Sequence, residues 1–382
     1  MIRLTVPSID QNDIDAVSAV LSTGFLVQGD HVSSFEQAIA KYVGVNSAIA
    51  TSNCTSALQI ALKALGTGPG DLVIVTAYSW IATANVIELC NAQPVFVDIK
   101  EDTFNIDTDL LEDILKKLMN KSDTAKRVKA IVPVHTFGQM SDMDSIIELS
   151  KRFDIPVVED SACALGATLN GQQAGSWGNA ACFSFHPRKA ITTGEGGMIV
   201  TNDEDLAQKL RTLRNHGLDT QKSPPDFTMP GMNCRLTDFQ AALGQSQMKK
   251  LDKLIAARKK LAASYNSLLR DGPLGVPTIA SGHESVYQSY VVTLPKEISP
   301  KRNQLISSMR TRGIETTIGT VHMPLSDFYQ KRYGYTKGNF PITDRAYANS
   351  LTIPLYDTLT NSDQKRIVNE LDTSLRSLGF KP

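Results

Sequence analysis

The hydrophobic pattern changes period repeatedly along the first half of the chain. Apolar positions at helical spacing predict helices over residues 10–21 and 33–42. Short aliphatic runs then predict strands over residues 48–51, 72–76, 94–98, 130–134, 156–159, 181–185 and 198–201. Helical spacing between them predicts helices over residues 55–65, 81–90, 108–119 and 143–153. Continuous apolar strands separated by helices are typical of a mainly parallel α/β sheet covered on both faces.

The pattern changes after about residue 205. Residues 223–231 are rich in Pro and Gly and predict an irregular loop, and a long helical region follows from 237 to roughly 269. Strands over 290–294 and 351–353 alternate with helices over 301–312 and 363–378, which is typical of a small α+β domain. We therefore expect a large domain over 1–240, whose N-terminal helix is free to pack on the small domain, and a small domain over 241–382.

Composition and charge exclude several classes of protein. Lys plus Arg and Asp plus Glu both number 39, so there is no basic surface for nucleic acid or an acidic membrane. No apolar run approaches about 20 residues, so we expect no membrane span. Residues 1–7 lack a basic region followed by an apolar stretch, so we expect no secretory signal. The five cysteines form no CxxC pair and the six histidines lack metal-ligand spacing, which favours a reduced, cytoplasmic chain without a metal site.

Three loops leave the carboxyl ends of predicted strands, where open α/β sheets bind ligands. In the first, Thr51-Ser52-Asn53-Cys54-Thr55-Ser56, a strand passes into a helix. Thr55 and Ser56 would lie at the helix N-terminus, where free N–H groups and the dipole favour a phosphate. Simple N-capping by Ser or Thr is the alternative, and taken alone this motif favours it.

The second loop begins at Glu159-Asp160, where a carboxylate ends an apolar strand. A buried carboxylate needs a partner, and a protonated pyridine nitrogen would serve as one. Capping of the next helix by Asp160, or metal binding, is an equal alternative.

The third loop contains Lys189, between Ser184 and the glycines Gly194, Gly196 and Gly197. Ser184 follows a buried strand and could donate to a phosphate, while the glycines allow a tight backbone path. Lys189 could form a Schiff base with pyridoxal phosphate (PLP) and then move protons as an amine. The alternative is a surface lysine before a Gly-rich hairpin.

Taken together, these motifs resemble the DegT/DnrJ/EryC1/StrS aminotransferases, which act on nucleotide-linked keto sugars. The resemblance covers nearly the whole chain, and its most specific part is the run from Ser184 to Gly197. It implies the fold of aspartate aminotransferase (fold type I), with a large mostly parallel mixed sheet, a small C-terminal α+β domain, and an active site at a homodimer interface.

The resemblance also implies roles for individual residues. Lys189 would carry PLP, Asp160 would pair with the pyridine nitrogen, and Trp80 would stack on the cofactor, although a plain core Trp is its ordinary alternative. The phosphate ligands would be Thr55, Ser56 and Ser184 of one subunit and Asn233 of its partner.

Three further positions follow from the comparison with the family pattern. Cys163 stands beside the cofactor's phenolic oxygen, where Gln, His or Glu is common, and a thiol is a weaker hydrogen bonder. Arg235 is a candidate for a sugar-nucleotide phosphate, with a structural ion pair as the alternative. His322 is a candidate substrate contact, although its spacing differs from the family's and favours a core or surface histidine.

The resemblance predicts a PLP-dependent aminotransferase that moves an amino group from L-glutamate to a nucleotide-linked keto-deoxysugar, expected to be a 4-keto-6-deoxy sugar. The amino sugar would serve surface polysaccharide or natural-product glycosylation. One alternative is a PLP-dependent sugar dehydratase, although that branch replaces the lysine by histidine. A non-catalytic regulatory homologue is another.

Overall fold

A computed structural model describes residues 1–120, 125 and 127–380. Its strands are β1 (Ser47–Thr51), β2 (Leu72–Thr76), β3 (Tyr78–Ser79), β4 (Gln93–Val97), β5 (Val128–Val132), β6 (Val158–Asp160), β7 (Thr168–Leu169), β8 (Gln172–Gln173), β9 (Ala180–Ser184), β10 (Gly197–Thr201), β11 (Leu218–Asp219), β12 (Asp226–Phe227), β13 (His283–Glu284), β14 (Tyr290–Thr293), β15 (Thr317–Ile318), β16 (Val321–His322) and β17 (Ser350–Ile353). Its helices are α1 (Gln11–Thr23), α2 (Asp30–Val43), α3 (Cys54–Ala64), α4 (Ala82–Leu89), α5 (Thr108–Met119), α6 (Met143–Phe153), α7 (Glu204–Arg214), α8 (Asp238–Met248), α9 (Leu251–Leu269), α10 (Arg302–Thr311), α11 (Asp327–Tyr333), α12 (Pro341–Asn349) and α13 (Asn361–Ser377).

The central sheet has the strand order β1-β10-β9-β6-β5-β2-β4. Parallel bridges from Ile131 to Val157 and from Val134 to Asp160 join its two halves. Strand β10 is antiparallel to both β1 and β9, while the remaining neighbours run parallel. The predicted mostly parallel mixed sheet is thereby confirmed.

Strand β2 illustrates why these strands are apolar throughout. Leu72 and Ile74 enter one hydrophobic core, whereas Val73 and Val75 enter a second core on the opposite face. Successive side chains of a strand point to opposite faces, so a sheet covered on both sides requires apolar residues at every position.

The predicted helical region over 237–269 is confirmed, although it consists of two helices, α8 and α9, with a break at Lys249 and Lys250. Lys250 has ψ near 3° and its Nζ atom lies 2.6 Å from Asp13 and 2.9 Å from Asp10. The break coincides with this contact between the N-terminal segment and the start of α9. Tertiary contacts of this kind override the helical preference of a sequence.

Helix α9 contributes to two hydrophobic cores. One core packs on the large sheet and includes Leu251, Leu254 and Ile255. The other packs on the three-stranded sheet β14-β17-β15 and includes Leu261 and Tyr265. The predicted division of the chain into a large and a small domain after residue 240 stays a prediction.

Two other expectations differ from the structure. The stretch 223–231 is not wholly irregular, because β12 pairs with β11 in a short hairpin. Helix α7 is absent from the predicted elements, although Asp203 caps it and its buried face includes Leu206 and Leu210. No helix among the described residues is long and apolar enough to cross a membrane.

Candidate active site

Three strand ends meet at one edge of the sheet. Thr51 at the end of β1 pairs with Gly197, which in turn pairs with Ser184 at the end of β9. On the other side of β9, Asp160 pairs with Cys182. The three loops selected from the sequence therefore leave the sheet side by side, as the carboxyl ends of parallel strands require.

Asp160 is buried, with 4% of its surface exposed. Its Oδ2 atom accepts a hydrogen bond from the Thr83 hydroxyl at 2.7 Å, and Oδ1 accepts from the Ala162 N–H at 3.2 Å. Burial raises the pKa of this carboxyl, and the two donors oppose that rise. Turns follow Asp160, so the alternative in which it caps a helix is wrong.

The neighbouring Glu159 has a different role. Its carboxylate accepts from the N–H groups of Gly175, Trp177 and Gly178 and from Nε2 of His135, all within 2.9 Å. Because Nδ1 of His135 accepts from the N–H of Ser141, the ring proton lies on Nε2. Four donors saturate the four lone-pair sites of Glu159, which leaves Asp160 as the carboxyl that can receive a ligand.

Lys189 is half-buried, and its Nζ atom lies 3.1 Å from Sγ of Cys163. Burial lowers the pKa of this amine, but the charges and hydrogen bond contributed by Cys163, with Cys54 and Asp160, outweigh it and leave the pKa raised. The side chain is thus held against other site residues, unlike that of an ordinary surface lysine.

The N-terminus of α3 lies beside these groups. Asn53 caps the helix by accepting from the Ser56 N–H at 2.8 Å, so the alternative of a Ser or Thr cap is wrong. Among the described residues, neither the exposed Thr55 hydroxyl nor the half-buried Ser56 hydroxyl makes a hydrogen bond. Both hydroxyls are therefore available to a phosphate at the positive end of the helix dipole.

Gly197 permits the close approach of β10 to this helix end. A Cβ atom there would lie 2.5 Å from the carbonyl carbon of Asn53 and 2.7 Å from the nitrogen of Cys54. Glycine is the residue that leaves room for two backbones at such a distance.

Trp80 is 65% exposed, so the alternative of a plain core Trp is wrong. It lies between β3 and α4, and its carbonyl oxygen is 3.2 Å from the Thr83 hydroxyl, which donates to Asp160. The indole is consequently placed within one turn of a residue that touches the buried carboxyl.

The remaining candidates lie around this edge. Ser184 is half-buried, and its hydroxyl accepts from the His186 N–H at 3.4 Å. Asn233 is exposed and its backbone bridges to Asn215. Arg235 donates to the amide oxygen of Asn215 at 2.6 Å, and it forms no ion pair within the described part of the chain.

His322 lies in the interior. It is 3% exposed, its Nε2 atom lies 3.1 Å from Oδ1 of Asp344, and Nδ1 accepts from the Leu325 N–H. Its backbone pairs with Tyr78 across β16 and β3. Both ring nitrogens are engaged, so the structure favours the core-histidine alternative and not a substrate contact.

Sequence reasoning missed Asn53, Thr83, Glu159 and His135. The capping role of Asn53 follows from its residue type before a helix, so this signal was present. Neither Thr83 nor His135 has a local signal, because each acts through a partner that is distant in sequence.

The arrangement fits PLP. A buried carboxyl with free acceptor capacity suits a pyridinium, and the Lys189 amine lies near enough for the charge of that carboxyl to raise its pKa. A helix N-terminus with two hydroxyls that have no partner among the described residues suits a phosphate. The exposed indole of Trp80 provides a surface for an aromatic ring.

Comparison with known proteins agrees with this geometry. A model of the DegT/DnrJ/EryC1/StrS aminotransferase family matches residues 7–372. GDP-perosamine synthase of Caulobacter vibrioides is 38% identical over 377 residues, covering 98% of each chain. UDP-2-acetamido-2-deoxy-3-oxo-D-glucuronate aminotransferase of Pseudomonas aeruginosa is 34% identical over 359 residues, covering 94% of each.

A solved structure is similar over almost the same length. Helicobacter pylori PseC, an aminotransferase involved in the biosynthesis of pseudoaminic acid, superimposes with a TM-score of 0.91 at 29% identity. The match covers 98% of this chain and 99% of that one.

Proposed function

Because the chain belongs to the DegT/DnrJ/EryC1/StrS aminotransferase family, we propose that it transfers an amino group from L-glutamate to a 4-keto-6-deoxy sugar carried on a nucleotide. The sugar aminotransferase activity and the cofactor PLP follow from the family and its relatives. One observation supports the assignment to this site: Nζ of Lys189 lies 3.1 Å from Sγ of Cys163, and its pKa responds to Asp160 and to Cys54 at the start of α3.

Each part of the site has a separate task. Bound PLP supplies an electron sink for the substrate's amine-bearing carbon. Asp160 would hold the positive charge of the pyridine nitrogen, and Thr83 would keep its carboxyl in the orientation seen here. Lys189 would hold the cofactor and then act as the base that moves a proton at that carbon.

The other contacts fix the cofactor in place. Thr55, Ser56 and Ser184 would donate to the phosphate, and Trp80 would cover one face of the ring. Cys163, which contacts Lys189, would lie beside the phenolic oxygen. A phosphate at a helix N-terminus gains from both the free N–H groups and the dipole.

The proposal includes a homodimer. Asn233 and Trp80 are exposed in a single chain, which is consistent with a partner subunit that covers the site and supplies its Asn233 to the phosphate. Arg235 would contact the sugar nucleotide. The five cysteines are all free, in agreement with a cytoplasmic enzyme that makes amino sugars for polysaccharide or natural-product glycosylation.

The test uses the PLP-loaded protein. Addition of L-glutamate should bleach its visible absorbance band and release 2-oxoglutarate, and a nucleotide-linked 4-keto-6-deoxy sugar should then restore the band. Lys189→Ala should abolish both steps, whereas Lys253→Ala, on the exposed side of α9, should not. Wild-type turnover by Lys189→Ala would refute the assignment.

The two alternatives are separated by the same measurement. A dehydratase would return no amino sugar from the keto sugar, and a regulatory homologue would show no bleaching. The presence of Lys189, Asp160 and a capped α3 N-terminus argues against both.

A further inference from the structure

A small cavity lies beside the lysine loop, and we name it the donor cavity. Its volume is about 90 Å³, and its polar lining comes from Thr5, Arg188, Gln288, Ser289, Thr317 and Thr352. Four parts of the chain thus meet there: the N-terminal segment, the residue before Lys189, residues 288–289 before β14, and the region of strands β15 and β17.

Arg188 gives the donor cavity its charge. It is the one charged residue that lines the cavity in the part of the chain that the structure describes, and no carboxylate lies in the lining. Arg188 takes part in none of the ion pairs between described residues. A planar guanidinium without a carboxylate partner is suited to binding a carboxylate or phosphate through two parallel hydrogen bonds.

A second observation points to a ligand. The hydroxyl oxygen of Thr5 is buried and has no hydrogen-bond partner among the described residues. An unpaired buried hydroxyl is costly. Thr5 also lines the donor cavity, so a small rotation of its side chain would bring this hydroxyl to a ligand oxygen there.

Two hydrogen bonds hold the backbone of Arg188 next to Lys189, while its side chain is exposed. Nε2 of Gln288 donates to the Arg188 carbonyl, and the Arg188 N–H donates to Nδ1 of His186 at 3.2 Å. Nζ of Lys189 meanwhile lies against Cys163, while Arg188 is exposed. The donor cavity is therefore lined by the residue next to Lys189 and by residues of β15 and β17.

The volume of the donor cavity favours a small anionic group over a large one. A single water needs about 10–15 Å³ by the same measure, so the donor cavity accommodates several non-hydrogen atoms. It has room for a carboxylate and an adjoining methylene group. A nucleoside diphosphate is far larger, since ligands of that size occupy pockets of roughly 300 Å³ or more.

We infer that the donor cavity binds the distal, side-chain carboxylate of the amino donor. Arg188 would be the charged residue that contacts this carboxylate. The inference rests on the proposed function, which names L-glutamate as donor. It makes Arg188 a specificity-determining residue, because the residue distinguishes dicarboxylic from monocarboxylic amino acids.

The experiment compares two donors in one half-reaction. Bleaching of the PLP-loaded protein is followed in single turnover with L-glutamate and with a high concentration of L-alanine, which lacks the distal carboxylate. Arg188→Gln should raise the half-saturating concentration of glutamate about 10- to 100-fold, the range expected for loss of a hydrogen bond to a charged group. The alanine rate should stay within about twofold, so the glutamate-to-alanine preference should fall.

Control variants keep the result specific. Arg310→Gln removes an exposed arginine on α10 and should change neither donor. Arg188→Lys should recover part of the glutamate preference, because it restores charge without the planar fork. The visible spectrum of each loaded variant reports whether PLP binding is intact.

Two outcomes would overturn the inference. Unchanged glutamate saturation in Arg188→Gln would show that the donor cavity does not bind the distal carboxylate. A defect confined to the second half-reaction, measured with a nucleotide-linked keto sugar, would assign Arg188 to a phosphate instead. Failure of the wild-type protein to react with glutamate would refute the proposed function itself, which is a distinguishable result.

Discussion

Nζ of Lys189 lies 3.1 Å from Sγ of Cys163, so the amine that is proposed to bind the cofactor is held by a thiol before any cofactor arrives. Burial alone would lower the pKa of Lys189, but its neighbours raise it, Cys163 foremost. A raised pKa means that less of the amine is neutral, and the neutral amine is the nucleophile.

Cys163→Ala should therefore lower the pKa of Lys189 in the cofactor-free protein. The rate of PLP loading, followed by absorbance between pH 6 and 10, should reach its plateau at a lower pH than in the wild type. For Cys163→Ser, which keeps a polar partner, the plateau should be reached at a pH between those of the wild type and Cys163→Ala. An unchanged pH profile in Cys163→Ala would show that the thiol does not control the amine.

The contact between Thr83 and Asp160 predicts a pH-dependent change in stability. Burial raises the pKa of Asp160, so ionisation of this carboxyl at neutral pH opposes folding, and the Thr83 hydroxyl offsets part of that cost. Thr83→Val should lower the free energy of unfolding by about 1.5–3 kcal/mol at neutral pH. The loss should shrink as the pH falls below the pKa of Asp160, because the protonated carboxyl needs the donor less.

Denaturant unfolding of the cofactor-free protein at several pH values measures this effect. Thr55→Val is the matched control, since Thr55 is exposed and its hydroxyl has no partner within the described ranges. A loss in Thr83→Val that is equal at all pH values would contradict the charge-dependent explanation.

Gly197→Ala should disrupt the phosphate end of the site. Its Cβ would lie 2.5 Å from the backbone of Asn53, so β10 or the start of α3 must move. Overpacking of this kind costs about 1–3 kcal/mol, and we also expect a weaker affinity for PLP. Gly68→Ala is the control, because no atom lies within 4 Å of its Cβ. Equal PLP affinity in the two variants would be evidence against the close approach as the cause.

The buried pair Glu36–Arg214 should matter for stability far more than a surface pair. Both residues contact the backbone of Ala50. Ala50 lies in β1, which leads to Thr55 and Ser56 at the start of α3. Glu36→Leu leaves a buried guanidinium without its partner, which costs about 3–5 kcal/mol. The double variant Glu36→Leu/Arg214→Met should recover part of that loss.

Glu112→Leu provides the comparison, because Glu112 pairs with Lys116 and Arg152 at the surface, where ion pairs contribute little to stability. Thermal or chemical unfolding measures all three variants. Similar losses in Glu36→Leu and Glu112→Leu would contradict the role of burial.

The sequence predicts the sheet better than it predicts the connections. The ranges 72–76, 108–119 and 143–153 coincide with β2, α5 and α6, because their apolar periods are set by faces that are buried in the fold. The break before α9 could not be found this way, since it occurs where Lys250 meets Asp10 and Asp13 from the other end of the chain.

The same limit applies to the site. Lys189, Asp160 and Thr55 stand in motifs that can be read locally. Thr83 and Arg188 gain their significance from partners or cavities that only the folded chain assembles. A hydrogen bond such as that from Thr83 to Asp160 spans 77 residues and leaves no periodic trace.

Pairing of β3 with β16 bears on the order of events during synthesis. The hydroxyl groups of Tyr78 and Ser350 also meet, across 272 residues of sequence. The ribosome therefore releases Lys189 and Asp160 well before the strand that anchors the segment leading to Trp80. During synthesis, Lys189 and Asp160 are therefore present early. The segment that carries Trp80 becomes fixed only after β16, in the last quarter of the chain, has been made.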